Sequence, residues 1–157
     1  MQSILYDDQA TPLIIVLPTR GGKSLLFMAP ACLENVGVTI VIVPFRALIN
    51  KLVNIAKEAS INSIEWHPGL TDPATLVFIS VDKIIGGGFL SYAELLKDKG
   101  LLRRVFVDEC HLTFTVSDWR PKLVAIRSIR GLRVPLIMLT ATLPPMLAFE
   151  LEVSMAY

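Results

Sequence analysis

Residues 13–24 read LIIVLPTRGGKS. The run Leu13 to Leu17 lies between Pro12 and Pro18 and is rich in branched side chains, which predicts a buried strand. It passes through Pro18, Thr19, Arg20, Gly21, Gly22, Lys23 and Ser24 directly into a helical segment, Lys23 to about Glu34. A strand, a glycine turn and a helix in that order form a cradle for an anion. Glycines let backbone N–H groups converge on phosphate oxygens with no Cβ in the way, and the helix N-terminus adds roughly half a positive charge. Lys23 then reaches the terminal phosphates and Ser24 ligates Mg²⁺. The general pattern asks for glycine at the position held by Leu17, and the bland alternative is a glycine turn that merely opens a helix.

The same alternation continues along the chain. Val38 to Val43 (VTIVIV), Leu76 to Ser80 (LVFIS), Val105 to Val107 and Leu136 to Leu139 (LIML) read as further strands. Helical spacing of Leu48, Ile49, Leu52, Val53 and Ile55 predicts a helix from Arg46 to Ala59. Others are expected over Tyr92 to Lys97, over Lys122 to Ile129 and from near Pro144. Continuous apolar strands alternating with helices predict an α/β fold: a parallel sheet with helices on both faces and right-handed crossovers.

Composition narrows the function classes. The 157 residues fit one domain, and 15 Lys plus Arg against 14 Asp plus Glu exclude a polycation that binds nucleic acid through bulk charge. Hydrophobic residues at 53% exclude global disorder. A mean hydropathy of +0.58 points to a sheet buried on both faces or to a face that meets a partner domain. The apolar runs are strand-sized, far short of the roughly 20 residues of a membrane helix, so no membrane association is expected. MQSILYDD at the start has no basic region before an apolar stretch, so no signal peptide is expected. Cys32 and Cys110 lack metal-ligand spacing and read as free thiols, each a small buried residue on its element, in the nucleus or cytoplasm.

The strand at Val105 to Val107 runs into DECH, Asp108 to His111. Two adjacent carboxylates at the carboxyl end of a parallel strand lie where such sheets bind ligands. Asp108 suits a Mg²⁺ ligand acting through water, and Glu109 suits the base that orients and deprotonates an attacking water. His111 either senses the γ-phosphate side or bridges to the next motif; the bland reading of the pair is a solvated acidic turn. LIML ends in Thr140, Ala141 and Thr142, whose hydroxyls can hydrogen-bond His111 and relay the nucleotide state, or simply cap the helix near Pro144.

PTRGGKS, VIVPFRALI, VDECH and LTATLPP, in this order and spacing, resemble the motifs of superfamily-2 helicases, and most of all the first RecA-like domain of RecQ-type DNA helicases. SDWRP, Ser117 to Pro121, is similar to the end of the RecQ aromatic-rich loop that couples DNA binding to ATP hydrolysis. DECH, PTRGGKS and Ile79 to Lys83 also resemble fungal RecQ-like proteins. The resemblance covers about residues 12–145, and within the family a large residue at the position of Leu17 is usual. It implies a P-loop NTPase (RecA-like) domain that binds ATP and Mg²⁺ and takes DNA as its partner, single-stranded or partly duplex. It implies residues 1–157 as one helicase ATP-binding domain, incomplete at both ends, with the second RecA-like domain and its arginine finger outside them. Departures are Arg20 at the family's third loop glycine, Gln2 as a poor stand-in for the adenine-reading Gln motif, and an aromatic loop reduced to Phe114 and Trp119.

In that family VPFRALI contacts the strand backbone, which gives Arg46 the role here. Trp119 can stack on an unpaired base, worth roughly 1–3 kcal/mol, beside Arg120, or else it caps the core. Arg120, Lys122, Arg127, Arg130 and Arg133 form five positive charges with no acid before Glu150. They are either a phosphate-tracking face or a solvated basic helix. Three function classes follow: an ATP-dependent DNA helicase domain, a DExH RNA helicase domain, and a catalytically silent remnant that only binds nucleic acid or a partner.

Overall fold

The computed structural model describes residues 13–17, 22–33, 37–110 and 119–141. In chain order they form β1 (Leu13–Val16), α1 (Lys23–Ala31), β2 (Val38–Val43), α2 (Ala47–Glu58), β3 (Ser63–Glu65) and β4 (Leu76–Ser80). A 3₁₀ turn at Val81–Lys83 follows, then α3 (Phe89–Asp98), β5 (Leu102–Val107), α4 (Trp119–Arg130) and β6 (Leu136–Thr140). The strands make one sheet in the order β1-β6-β5-β2-β4-β3, and every neighbouring pair is parallel.

Side chains alternate across a strand, so a central strand with no polar face must be covered twice. In β2, Ile40 and Ile42 enter one core with Val77, Ile79, Val105 and Val107, covered by Phe89, Ala93 and Leu96 of α3 and Ala125, Ile126 and Ile129 of α4. Val41 and Val43 enter the other with Phe78, Phe106 and Leu139, covered by Phe27 and Met28 of α1 and Ile49 and Ala56 of α2. Phe27 stands edge-on between Phe78 and Phe106, with ring centroids 6.2 and 5.7 Å away. Each fully buried Val, Leu, Ile, Phe or Met among these contributes roughly 1.5–3 kcal/mol relative to exposure. The expected α/β class, with helices on both faces, is what the chain adopts.

Several sequence expectations change. β1 is not a strand buried on both faces: it pairs only with β6 among the described residues, and Leu13 and Val16 are 56% and 52% exposed. An apolar run reports hydrophobicity, while edge or centre depends on long-range pairing. Cys32 is exposed rather than buried, because α1 ends at Ala31 and Cys32 is its C-cap. β3 was not foreseen: Ser63-Ile64-Glu65 is too short and polar to carry a periodic signal. The helices α3 and α4 run longer than expected, and the helix expected from Pro144 lies outside the described residues. No helix among the described residues is long and apolar enough to cross a membrane.

Candidate active site

Parallel pairing brings the carboxyl ends of all six strands to one edge of the sheet, where α/β proteins bind ligands. At one side of it, Val16 lies opposite Thr140, and Leu17 N–H donates to the Thr140 carbonyl at 2.9 Å. Pro18, Thr19, Arg20 and Gly21 lie outside the described residues. Gly22 resumes the chain as the N-cap of α1 at φ 77°, with no side-chain cap on the helix. Glycine bears that left-handed conformation at no steric cost. Its carbonyl accepts the Leu25 N–H at 3.0 Å, closing the first turn. Lys23 therefore opens the helix, with Ser24 half-buried beside it.

Two strands away, β5 delivers the acidic pair. Val107 lies opposite Ile42 on one side and Met138 on the other. Asp108 N–H donates to the Ile42 carbonyl at 2.8 Å, which extends the ladder by one residue. The chain then turns at Glu109, a non-glycine residue at φ 50°, and its N–H donates to Asp108 Oδ1 at 3.0 Å. Left-handed backbone at a non-glycine residue costs on the order of 1–2 kcal/mol, and such outliers gather at functional sites.

In the sheet β6 lies between β1 and β5, and the start of α1 comes up to the turn after β5. Lys23 Nζ forms an ion pair and hydrogen bond with Glu109 Oε1. Lys23 is only 7% exposed, and a buried ammonium needs an anionic partner to offset its desolvation. Here one of the two acids supplies it. The sequence placed Lys23 and Glu109 in separate motifs; the sheet order makes them partners.

Cys110 and Thr140 are fully buried next to the pair. Burial pushes the Cys110 thiol up to about 12; the hydrogen bond from the Thr140 hydroxyl and the Lys23 charge act the other way, and the Glu109 and Asp108 carboxylates add to the rise. Cys110 is thus a protonated core thiol and not a nucleophile, as its sequence position suggests. The Thr140 hydroxyl, considered above as a partner for His111, bonds Cys110 in the described site, while its carbonyl holds Leu17. Thr140 thereby touches the strand ahead of the glycine turn and the residue after the acidic pair. Ala141 is half-buried beyond it; His111 and Thr142 lie outside the described residues.

A thiol assay should separate the two cysteines. The native chain is expected to show one reactive thiol near pH 8, that of exposed Cys32, and two after denaturation. Two fast-reacting thiols in the native state would contradict the buried Cys110. Because the folded Cys110 pKa is raised from 9.0 to about 12, its contribution to stability is complete below about pH 9 and is lost as pH rises from 9 to 12.

The expected nucleic-acid residues are more scattered. Arg46 is the N-cap residue of α2, largely exposed, and its Nε donates to Glu65 Oε1 of β3 at 2.9 Å. Glu65 was not singled out from the sequence, since a lone acid in an unpredicted strand carries no signal. Trp119 and Arg120 open α4, and their side chains lie outside the described residues. Along that helix Lys122 is buried and Arg130 half-buried, while Arg127 is exposed. The run of positive charges is therefore not one uniform solvent-facing surface, because the 3.6-residue repeat turns Lys122 inward with Ala125, Ile126 and Ile129.

The arrangement defines a class: residues 1–149 match the DEAD/DEAH box helicase family, and the chain belongs to it. Among relatives, it is 33% identical over 153 residues to the RecQ-like DNA helicase BLM of Xenopus laevis, covering 83% of this chain and 11% of that protein. It is 32% identical to the RecQ-like DNA helicase blm-1 of Caenorhabditis elegans, over 92% of this chain and 17% of that one. For the ATP-dependent DNA helicase RecQ of Synechocystis the identity is 28%, over 82% and 30% respectively. The chain thus spans less than a third of the length of each of these relatives. Its fold is that of the RecA-like helicase domains in S. cerevisiae Dbp5 bound to RNA and ADP BeF3 (TM-score 0.65, 12% identity, 92% of this chain and 40% of that one). It is likewise that of Mycobacterium smegmatis Lhr bound to ssDNA and AMP-PNP (TM-score 0.60, 16% identity, 87% and 21%).

Proposed function

We propose that residues 1–157 are the first RecA-like, ATP-binding domain of a RecQ-like ATP-dependent DNA helicase, which couples ATP hydrolysis to movement along single-stranded DNA. The observation that carries this reading is the pairing of Lys23 with Glu109. It joins the first residue of α1 to the turn after β5, and so supports reading the two motifs as parts of one site. Distant likeness to RecQ-like DNA helicases supports the DNA substrate.

In this reading residues 18–24 and the uncapped N-terminus of α1 receive the phosphates, and Lys23 neutralises the terminal ones. Ser24 and Asp108 are the residues that would hold Mg²⁺. The donors suit it: one hydroxyl and one carboxylate, with no group of three or more His, Cys, Asp or Glu ligands among the described residues. Magnesium takes few protein ligands and relies on phosphates and water for the rest. When bound, it neutralises charge on the phosphate oxygens. Glu109 accepts a proton from the attacking water, and its backbone, held by Asp108 on one side and buried Cys110 on the other, orients the carboxylate.

His111 belongs with this catalytic group. Thr140, Ala141 and Thr142 couple the nucleotide state to the cleft, through the Thr140 contacts to Leu17 and Cys110. Arg46, Trp119 and Arg120 contact DNA. Translocation requires a second RecA-like domain working with this one, and a DNA substrate places the protein in the nucleus or cytoplasm. The test is ATP turnover by the purified chain alone, with single-stranded DNA, and with single-stranded RNA. Turnover raised more by DNA supports the proposal; a larger rise with RNA would make it an RNA-dependent enzyme. Intact nucleic-acid binding without turnover under any condition would favour a silent binding domain.

A further inference from the structure

The edge of the sheet opposite the candidate active site carries charge that the motifs do not use. Strand β5 begins with Leu102, Arg103 and Arg104, and α4 ends at Arg130, with Arg133 in the turn into β6. β5 and β6 are neighbours, and Val105 N–H donates to the Pro135 carbonyl at 2.9 Å, so the two segments lie side by side. Arg133 N–H donates to the Arg130 carbonyl at 3.0 Å, which keeps those two in one turn. No Asp or Glu occurs from Lys99 to Val107 or from Trp119 to Ala141. Among the described residues none of the four arginines is in an ion pair. From Arg103 to Asp108 the chain runs roughly 16 Å at the usual strand rise, about two Debye lengths at physiological salt. Across solvent, the acids at the carboxyl edge therefore do little to neutralise these cations.

The fold presents these side chains and holds one of them in place. Val38 pairs with Leu102 and Thr39 with Arg104, so Arg103 is an extra residue bulged from β5. Its side chain lies on Gly37, where a Cβ would stand 2.7 Å from Arg103 Cγ and 2.8 Å from its Nε. Arg103 and Arg133 are exposed, and Arg104 and Arg130 are half-buried. Arg130 Nη1 is enclosed without a hydrogen-bond partner among the described residues, so its charge adds to the positive potential over the edge. The only exposed aromatic side chain among the described residues is Phe45, which follows β2 at the other, carboxyl edge. A site for single strands combines charge with aromatic stacking, whereas a duplex offers closely spaced phosphates. We propose that Arg103, Arg104, Arg130 and Arg133 form a second nucleic-acid site, which holds the phosphate backbone of a duplex against the amino-terminal edge of the sheet. This site is separate from the nucleotide cleft and does not depend on the reading of the phosphate loop.

The test is binding of the purified chain to a short blunt-ended DNA duplex and to a single strand of the same sequence, each followed as NaCl is raised. The variants are Arg103→Gln, Arg133→Gln, the two together, and Lys57→Gln. Lys57 is an exposed residue of α2, and its loss removes the same charge from another part of the surface. Each phosphate contact contributes about 0.9 to the slope of log affinity against log salt for a duplex. The expected result is a duplex slope shallower by roughly one for each arginine variant and by roughly two for the pair. A smaller change is expected on the single strand, and none in Lys57→Gln. Exposed positions tolerate such changes, and circular dichroism confirms that each variant is folded. An unchanged duplex slope in the double variant would overturn the proposal, as would no duplex binding by the wild type at low salt; the edge then fits an acidic protein surface instead. A change in Lys57→Gln as large as in Arg103→Gln would reduce the effect to bulk charge, and an equal or larger change on the single strand would remove the duplex; either result overturns it. ATP turnover is not read in this experiment, so failure of the nucleotide site is a separate result.

Discussion

Glu109→Gln is expected to lower ATP turnover at saturating ATP by about 10²- to 10⁴-fold, the usual contribution of a positioned general base, while nucleotide still binds at least as tightly as in the wild type. The amide keeps the shape of the side chain and its place at φ 50°, and the Glu109 N–H still reaches Asp108 Oδ1. Only the capacity to take a proton goes. The proposed metal ligands Ser24 and Asp108 are untouched, so loss of Mg²⁺ is not the cause. Single-turnover hydrolysis measured beside equilibrium binding checks both halves. Turnover within a few-fold of wild type would show that another group takes the proton.

Lys23→Ala is expected to weaken nucleotide binding by roughly 100-fold or more, because it deletes charge-assisted contacts to phosphate that each contribute about 1.5–3 kcal/mol. The loss exceeds that of a surface lysine because Lys23 is buried, where solvent cannot replace it. The variant also leaves Glu109 facing incoming phosphates with no cation between them. Calorimetric titration with ATP and Mg²⁺ gives the affinity, and circular dichroism confirms that the variant is folded. Equal affinities in variant and wild type would remove Lys23 from the nucleotide site and leave the Gly22 turn as an ordinary helix start.

Several candidate site residues were legible because chemistry constrains them locally. A strand, a glycine turn and a Lys-Ser helix start are contiguous, and so are a strand and the two carboxylates at its end. Gly22 at the α1 N-cap and Asp108 one residue beyond β5 stand where the local pattern puts them. Other features depend on distant segments. That Lys23 is paired follows from β6 lying between β1 and β5. That Arg46 is held by Glu65 follows from β3 lying beyond β4 at the same sheet edge. Lys122 shows the same dependence: its charge suggested a solvated position, but α4 packs on the sheet through that face and takes the lysine inward.

By itself the sequence determined the α/β class, four of the six strands closely, the two motif ends and the kinds of group they carry. These depend on hydrophobic periodicity and on short-range backbone geometry, which are written in neighbouring residues. Only the tertiary structure decided which apolar strand is an edge, which cysteine is buried and which anion Lys23 meets. Those depend on the order in which strands pair. Strand pairing is a competition among long-range contacts of similar local character, and each segment's place is set by the burial of all the others.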